Sequence, residues 1–312
     1  MRMEAELVNV IIQENIMKDI DFIAKRYRKE KRVDSKSTLK KKIVQAWFQE
    51  DTIDSWRHER LYKLTDPFLH FYQGNVWLTI GDGRCGTDAH YILKNGGQVI
   101  ASNIEEGTLK SALQMKYIKK YRVENAEDLS MKDNSYDFTF CKEALHHLPR
   151  PYIGIYEMFR VSKKGIVLIE PNDIFHNHSV TQEIFWKLKR TIKQIFGLNE
   201  SIPYETVGNY IFRVSHEEIE KIAIALDYKY FISKGINDIY EPGLEYIKRT
   251  NVFKFFQVKA RIFLLDTLCL LGFLKHNDIF MAILKIKIPN EMKRLLKEKG
   301  YQVIALPKNP YV

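Results

Sequence analysis

Short apolar runs alternate with amphipathic stretches between residues 76 and 171, and this rhythm predicts a parallel α/β sheet. Helices predicted at Glu105–Lys119 and Tyr152–Val161 connect strands of this sheet. The predicted strands are Val76–Gly81, Gly97–Asn103, Tyr121–Val123, Tyr136–Cys141 and Gly165–Glu170. Polar residues gather at the carboxyl end of each strand. Because ligands of open α/β sheets bind beyond those ends, we expect a binding site at that edge.

After Asn172 the alternation stops and the pattern becomes mainly helical. Val180–Phe196 has an apolar stripe with basic residues largely off it, which predicts a helix that covers the site as a lid or docks on a membrane surface. A capping box at Ser215 predicts a helix through Ala225, and Glu241–Leu274 is expected to be mostly helical. The other predicted elements are strands at Lys229–Ser233, Ile279–Ile288 and Tyr301–Leu306 and a helix at Glu291–Lys299.

These patterns divide the chain into a helical, basic cap region (residues 1–73), a ligand-binding core (residues 74–173), and helical insertions with strands that complete the sheet (residues 174–312). The chain has 312 residues and 45% hydrophobic composition, which favours one large globular domain with elaborations over two independent domains.

The three cysteines, Cys85, Cys141 and Cys269, stand far apart and form no CxxC pair. This predicts neither a disulfide framework nor a metal site, and it fits a reducing cytoplasm. The first residues carry acids and amides where a signal peptide needs an apolar core. The longest apolar run, Ile262–Leu274, contains Asp266 and is shorter than the ~20 residues that a membrane-spanning helix needs. We therefore expect a soluble, cytoplasmic protein.

A formal net charge of +10 points to acidic partners such as nucleic acid, anionic lipid or a phosphate-bearing carrier, or serves solubility alone. The most basic stretch is Lys25–Lys42, which is either a solvated helix and loop or a contact for a phosphate-bearing surface. Few aromatic residues are interleaved with these charges, which disfavours a platform for single-stranded nucleic acid.

Aromatic residues are dense between Ala46 and Gln73. A helix from about Thr52 to Tyr62 places Trp56, Glu59 and Arg60 on one face. We expect this face to offer a cation, Arg60 or Arg57, to a ligand carboxylate. The alternative is an ordinary surface ion pair over the core.

The first predicted strand runs into a glycine-dense turn, Gly81-x-Gly83-x-x-Gly86, followed by a short helix. Glycines at this junction let the backbone approach a nucleotide closely, and the spacing matches the dinucleotide fingerprint. A nicotinamide cofactor is one interpretation. It expects an acid at the end of the second strand, where this chain has Asn103, and it gives no account of the segment HHLPRP after the fourth strand.

The run NAEDLSMKDNSYDFTFCKEALHHLPRP, placed after GDGRCGTD and ASN, resembles the class I S-adenosylmethionine-dependent methyltransferases, in particular their small-molecule branch. The resemblance covers about Trp56 to Asp173. It implies a Rossmann-like, mostly parallel sheet of seven strands with a C-terminal antiparallel hairpin, and S-adenosylmethionine as the cofactor. With Arg60 from the helix above, the implied cofactor-binding residues are Gly81, Asp82, Gly83, Arg84, Asn103, Ile104, Asn125, Ala126, Glu127, Cys141 and Lys142.

By position in the family, Gly81, Asp82 and Gly83 pass under the methionine part of the cofactor. Asn103 stands where an acid usually grips the ribose hydroxyls. Asn125, Ala126 and Glu127 stand where the adenine edge is read, and Cys141 and Lys142 stand where backbone carbonyls meet the amino group.

Three residues depart from the family pattern. Thr79 replaces an acid inside the first strand, Cys85 replaces the third glycine, and Asn103 replaces the ribose acid. An amide still donates and accepts hydrogen bonds, but it gives up a charge-assisted bond of about twice the strength. These departures predict weaker cofactor binding, and they favour one alternative, a non-catalytic methyltransferase-like binding protein.

Methyl transfer to a hydroxyl also requires removal of a proton, which suits histidine because its ordinary pKa of ~6.5 lies near working pH. His147, with His146 beside it, follows the fourth strand at the mouth of the expected site. Glu143, four residues before His147, is predicted to orient that imidazole. The alternative is that these histidines only pack or cap a helix.

The segments Ile174–Leu198, Tyr204-Glu205 and Gly208–Tyr210 are rich in aromatic and amide groups, which favours a polar, sugar-like acceptor. WRHERLYKLTDP together with GNYIFRVS is similar to methyltransferases associated with bacterial surface-polysaccharide assembly. We therefore predict O-methylation of a sugar or another small polar acceptor, with peripheral contact to an anionic membrane or phosphate-bearing carrier. An RNA methyltransferase is the alternative of another class, and it requires a basic, aromatic-bearing face beside the site.

Overall fold

The computed structural model describes residues 38–174, 180–195, 204 and 210–311, and within them eight strands form one mixed sheet in the order β3-β2-β1-β4-β5-β7-β6-β8. The strands are β1 (Val76–Ile80), β2 (Gln98–Asn103), β3 (Tyr121–Val123), β4 (Tyr136–Lys142), β5 (Ser162–Pro171), β6 (Tyr230–Ile236), β7 (Asp278–Leu284) and β8 (Gln302–Ala305).

The first five strands are parallel, as the alternation of apolar and amphipathic stretches predicts. β1 lies inside the sheet between β2 and β4, and four of its five residues are buried. A strand covered on both faces is a continuous apolar run, which is why Val76–Ile80 could be recognised from its sequence. All five strands end at the same edge, where their polar termini meet.

The C-terminal strands pair antiparallel, β5 with β7, β7 with β6 and β6 with β8. The expected hairpin is therefore present, as the β6–β7 pair. The expectation of seven strands is wrong for the described chain, because β8 pairs with the outer edge of β6, with Phe231 opposite Ile304. The hydroxyl of Tyr301 fixes the start of β8 by donating to the backbone carbonyl of Leu64 at 2.8 Å.

Ten α-helices lie in the described ranges. They are α1 (Thr38–Trp47), α2 (Ile53–Tyr62), α3 (Asp66–Phe71), α4 (Thr87–Lys94), α5 (Gly107–Gln114), α6 (Pro151–Val161), α7 (Val180–Ile195), α8 (His216–Ala225), α9 (Val252–Leu270) and α10 (Asn290–Glu298). Thr52 caps α2 by accepting from the backbone N–H of Ser55 at 3.0 Å, and the predicted capping box at Ser215 is present at the start of α8.

One helix is shorter than predicted. The helix expected to reach Lys119 ends at Gln114, because Lys116 adopts a φ of 57° and the chain then turns Ile118 into the core. Glu241–Leu274 is mostly helical, as expected, and α9 begins there at Val252, where the Asn251 side chain accepts from the backbone N–H of Lys254 at 3.1 Å. Local apolar pattern does not mark either boundary.

The core lies on both faces of the sheet. One apolar cluster is centred on α6, α8 and one face of β4 and β5, and the other contains α2, α3 and α10 against the opposite face. A smaller cluster packs α9 against α2 through Val258, Ile262 and Ile53. Among the described helices none has the length and apolar character needed to cross a bilayer.

Parts of the sequence predictions lie outside the described residues. These are residues 25–37 of the basic stretch, Glu205, Gly208 and Asn209. The helix predicted at Val180–Phe196 is present as α7, but its described residues do not line the cavity at the strand ends. The hydroxyl of Thr181 instead donates to the backbone carbonyl of Gly272, just after α9, at 3.3 Å. The described part of α7 therefore does not cover the site as a lid.

Candidate functional site

A cavity of about 730 Å³ opens at the carboxyl ends of β1 to β4, where the sequence predicts the site. It is lined by Trp47, Arg57, His58, Ile80, Gly81, Asp82, Gly83, Arg84, Asp88, Ser102, Asn103, Ile104, Glu124, Asn125, Ala126, Lys142, Glu143, Ala144, His146, His147, Leu148, Pro171 and Tyr240. The lining thus brings together nine of the twelve predicted cofactor residues and all three predicted catalytic residues.

The glycine turn after β1 forms one wall of the cavity, and its geometry requires glycine. Gly81 has a φ of 72°, and a Cβ atom there would lie 2.4 Å from Cβ of Ala144. At Gly83 a Cβ atom would lie 3.2 Å from the amide nitrogen of Asn103. The backbone is therefore bare on the side that faces the cavity, as a close ligand approach requires.

The carboxyl group of Asp82 forms its hydrogen bonds inside the protein, behind this turn, rather than toward the cavity. Its carboxylate accepts from the backbone N–H groups of Asp88 and Ala89, at 3.2 and 2.9 Å, and from the hydroxyl of Thr79 at 2.9 Å. Burial and the nearby Asp88 carboxyl raise the pKa of Asp82 to about 8. The first of the three departures now has a physical reason, because an acid at position 79 would face the carboxyl of Asp82 in the core.

Cys85, the second departure, adopts a φ of 55° and is fully buried. Its side chain packs in a small apolar cluster with Ala101, Leu109 and Ile118. A side chain in the left-handed region costs about 1 kcal/mol or more, and burial of the thiol offsets that strain. Burial also raises the pKa of Cys141, whose thiol contacts Glu170 rather than the cavity.

Asn103, the third departure, ends β2 and faces the turn. Its amide nitrogen donates to the backbone carbonyl of Glu105 at 3.1 Å, so its oxygen is the group left to face a ligand. Asn125 and Ala126 line the cavity beyond β3. Glu127 does not, because its carboxylate accepts from the backbone N–H and the Nε of Arg150, at 2.6 and 2.7 Å.

A cluster of charged side chains forms the opposite wall, and we call it the charged wall; its members are Asp54, Arg57, His58, Arg84, Lys142, Glu143 and Asp238. Arg57 is only 2% exposed and donates to Asp54 at 2.7 Å and, through Nε, to Asp238 at 3.1 Å. Arg84 pairs with Asp54, and Lys142 pairs with Glu143 at 2.6 Å. Three cations and three carboxylates thus balance one another, and Arg84 and Glu143 are the members that stay partly exposed.

His58 lies at the centre of the charged wall. Burial and the positive charges of Arg84, Lys142 and Arg57 hold the pKa of His58 well below its usual range, so the ring is neutral at pH 7. Its Nε2 lies 2.8 Å from a guanidinium nitrogen of Arg84, and its Nδ1 lies 3.0 Å from the Lys142 ammonium and 3.4 Å from Glu143. Burial raises the pKa of Glu143, but the charge and hydrogen bond of Lys142 and the charges of Arg57 and His146 together lower it to about 2.

Arg60 does not line the cavity, although the sequence singles it out; it lies at the edge of this wall, 3.8 Å from Asp238. Its guanidinium donates twice to the backbone carbonyl of Asn237, at 3.1 Å, and lies over the ring of Trp56. Glu59, predicted to share its face, pairs instead with Lys63 at 2.9 Å. The helix turns Arg57 rather than Arg60 toward the cavity, because Arg57 is drawn inward by Asp54 and Asp238.

The histidine pair lies on a short 3-10 turn after β4, with ring centroids 4.0 Å apart. His146 Nδ1 lies 2.7 Å from a carboxylate oxygen of Glu170, which also accepts from the backbone N–H groups of Ala144 and Leu145. Glu170 therefore orients His146. Glu143, which the sequence predicts to orient His147, adopts a φ of 50° and contacts Lys142 and His58.

Sequence reasoning missed several residues of the site. Glu170 ends the fifth strand, so its place at the polar edge was a usable signal. Tyr240 and Asp238 follow β6, more than 170 residues after α2, and nothing in their local sequence marks them. They reach the cavity because β6 returns to the sheet beside β7.

The comparisons with known proteins agree with this arrangement. Residues 78–169 match a family model described as a methyltransferase domain, and the match covers the glycine turn, Asn103, the histidine pair and most of β5. The comparison with curated proteins gave no match.

Several solved structures are similar to the chain. One is the YcgJ protein of Bacillus subtilis, with 16% identity over 74% of this chain and 100% of that chain and a TM-score of 0.48. Another is a putative methyltransferase of Bacillus halodurans, with 16% identity, coverage of 73% and 99%, and a TM-score of 0.45. A third is a Haemonchus contortus phosphoethanolamine N-methyltransferase, with 16% identity, coverage of 77% and 58%, and a TM-score of 0.45.

The glycine turn, the strand order 3-2-1-4-5-7-6 within the larger sheet and the matched domain point to the same conclusion. Residues 78–169 are those of a methyltransferase domain, set in a Rossmann-like sheet.

Proposed function

We propose that this methyltransferase acts on a hydroxyl group of a small, polar, sugar-like acceptor. The observation that carries the proposal is the charged wall opposite the glycine turn. Arg57, His58, Lys142 and Glu143 line the cavity there with Tyr240. An apolar acceptor would take water from these groups without replacing its hydrogen bonds, which costs about 1–3 kcal/mol for each unsatisfied group. An acceptor with several hydroxyls can satisfy them.

The glycine-turn side of the cavity fits S-adenosylmethionine. Gly81 and Gly83 leave the backbone bare, Asn103 offers an amide oxygen, and Asn125 and Ala126 follow β3. Arg84 and Lys142 supply cations near a carboxylate-bearing ligand. When bound, S-adenosylmethionine supplies an electrophilic methyl group on a sulfonium. We assign no cofactor contact to Arg60, Glu127 or Cys141. The side chains of Arg60 and Glu127 are hydrogen-bonded to other groups, and the thiol of Cys141 is buried against Glu170.

His146 is the base in this proposal. Its Nδ1 donates to Glu170, so the neutral ring presents Nε2 as an acceptor. With S-adenosylmethionine bound, Nε2 would take the proton of the acceptor hydroxyl while the methyl–oxygen bond forms and the methyl–sulfur bond breaks, and the Glu170 carboxylate would stabilise the imidazolium. A general base of this kind contributes about 10²–10⁴ in rate. His147 lies beside it and is the matched residue for comparison.

Two experiments test the proposal in order. The first is a calorimetric titration of the protein with S-adenosylmethionine, beside the variants Gly83→Arg and Gln114→Arg. Gln114 is exposed at the end of α5, so it controls for an added positive charge. We expect saturable binding by the wild type and by Gln114→Arg, and loss of binding in Gly83→Arg. Failure of the folded wild type to bind would favour the non-catalytic alternative.

The second experiment measures transfer of a labelled methyl group to nucleotide-activated sugars, free sugars, small amines and an RNA pool. We expect the labelled methyl group to appear in a sugar fraction. A linkage that is stable to base would be an ether, which identifies the reaction as O-methylation. Incorporation into RNA alone, lost steeply as salt rises, would support the RNA methyltransferase and overturn the sugar proposal.

A further inference from the structure

Helix α9 exposes an unusual amount of apolar surface. One face packs against α2 and the segment after β6 through Val258 and Ile262. The opposite face carries Val252, Phe253, Phe256, Phe263, Leu264 and Leu270, all exposed, and we call it the α9 face. A helix that packs one side against a core normally turns polar residues outward. Here both sides are apolar.

The size of the α9 face sets it apart from scattered surface residues. Phe253, Phe256 and Phe263 are 81%, 69% and 74% exposed. At about 200 Å² for each phenylalanine, these three rings alone expose roughly 450 Å², which is as much as the largest apolar patch of a typical soluble monomer. The three aliphatic residues add to this area. A patch of this size marks a contact surface.

Basic side chains border the α9 face. Lys259 lies on one side, where its ammonium sits 5.4 Å from the centre of the Phe255 ring. Lys254 and Arg261 lie on the other side and share the single carboxylate of Glu241. The helix therefore presents aromatic and aliphatic side chains between rows of positive charge. This is the composition of helices that lie in the plane of a membrane interface.

The neighbouring helix continues the same surface. Thr181, in the first turn of α7, contacts the chain just beyond α9 at Gly272. Farther along α7, Ile184 and Leu188 are 61% and 59% exposed, beside the exposed cation Lys187. Two adjoining helices thus combine exposed apolar residues with lysines and arginines, and the chain as a whole has a formal net charge of +10.

We propose that the α9 face docks on an anionic lipid bilayer, with the phenylalanines inserted at the boundary of head groups and acyl chains and the flanking cations on the lipid phosphates. The positive charge matches an anionic surface and opposes contact between two copies through this face, because each copy would bring its own cation rows. The inference does not depend on the identity of the acceptor.

The position of α9 links docking to the site. The segment under its buried face holds Ile239, between Asp238 of the charged wall and Tyr240 of the cavity lining. Asn237 in the same segment donates to Asp266 of α9 at 2.7 Å. A docked α9 therefore holds the charged wall close to the head groups, where a membrane-borne acceptor would be presented.

The test is co-sedimentation of the full chain with two kinds of vesicle, one of phosphatidylcholine alone and one of equal parts phosphatidylcholine and phosphatidylglycerol. The test variant carries Phe253→Ser, Phe256→Ser and Phe263→Ser. The matched control carries Ile153→Ser and Tyr156→Ser, which remove exposed apolar residues from α6. Thermal melts and S-adenosylmethionine titration establish that each variant is folded, since none of these residues lies in the site.

We expect the wild type and the control to bind the anionic vesicles within about twofold of each other, and the test variant to bind roughly tenfold or more weakly. Raising the salt from 0.1 to 1 M shortens the screening length from about 10 to about 3 Å, so binding should fall. Equal binding by test and control variants would overturn the proposal. So would a wild type that binds neither vesicle and forms dimers, by light scattering, that the test variant does not form.

Discussion

One side of the cavity comes from consecutive strand ends, β1 to β3, whereas the other comes from α2, β4 and the segment after β6. The first side is mostly backbone and short side chains, held by the glycine turn and the parallel register. The charged wall is made of long side chains whose charges are matched in pairs across the fold. The comparison shows that one wall of the cavity is built from one local motif, while the other is assembled from distant segments.

Substitutions in the charged wall should lower the stability of the protein more than substitutions on the glycine-turn side. Arg57→Ala removes a buried cation that contacts both Asp54 and Asp238. We expect the free energy of unfolding to fall by about 3 kcal/mol, because two buried carboxylates each lose a cation: Asp54 keeps only Arg84, and Asp238 keeps only the 3.8 Å contact with Arg60. Urea denaturation measures this change. Arg60→Ala, on the same helix but 22% exposed, is the control and should cost about 1 kcal/mol or less. Equal losses of unfolding free energy in the two variants would show that Arg57 stabilises the fold no more than Arg60 does.

The chemistry should depend on one histidine of the pair. His146→Gln should lower kcat about 10²–10⁴-fold while the Kd for S-adenosylmethionine changes little, because the base is lost but the glycine turn is intact. His147→Gln is the matched variant, with an expected effect below tenfold. A larger loss in His147→Gln would transfer the base role to that residue.

Binding of S-adenosylmethionine should become tighter when the acid that the family usually has at the end of the second strand is restored at position 103. Asn103→Asp adds a carboxylate where ribose hydroxyls are expected, and a charge-assisted bond is about twice as strong as a neutral one. We expect S-adenosylmethionine to bind about 5–10-fold more tightly by calorimetry. Asn125→Asp, on the next strand end, controls for added negative charge and should not improve binding. Weaker binding by Asn103→Asp would place the ribose elsewhere.

The buried carboxyl pair under the glycine turn should make stability depend on pH. The folded pKa of Asp82 is raised to about 8, so the folded state holds a proton that the unfolded chain has released above pH ~4. The free energy of unfolding should therefore fall as pH rises from about 4 to about 8, and the slope is clearest between about 7 and 8, where ordinary histidines are mostly neutral and ordinary cysteines mostly protonated. Asp82→Asn should flatten this slope. A wild-type profile that rises over this window would contradict the assignment.

The smallest effect is expected at Cys85, where strain and burial oppose each other. Cys85→Gly relieves the left-handed φ but leaves a small void, so its unfolding free energy should stay within about 1 kcal/mol of the wild type. Cys85→Ala keeps the strain and loses the sulfur, so it should be the less stable of the two by thermal melting. The reverse order would mean that the backbone carries no strain there.

The sequence by itself determined the parallel half of the sheet and most of the cofactor side. A strand buried on both faces is apolar throughout, a tight turn needs glycine, and a helix start needs a cap, so β1, the glycine turn, Asn103 and the capping box at Ser215 are all visible in local sequence. The histidine pair was found in the same way, from its place after β4. The C-terminal hairpin was expected only through resemblance to a family.

Only the tertiary structure decided which charges face the cavity. Arg57 and Arg60 lie one helical turn apart, and local pattern favours neither, but Asp238 from the segment after β6 draws Arg57 inward while the Asn237 carbonyl holds Arg60 outside. The partner of His146 was likewise decided by β5, which brings Glu170 beside the turn, rather than by the sequence neighbour Glu143. Charge pairing acts through space over a few ångströms, so its outcome depends on which distant segments the sheet brings together.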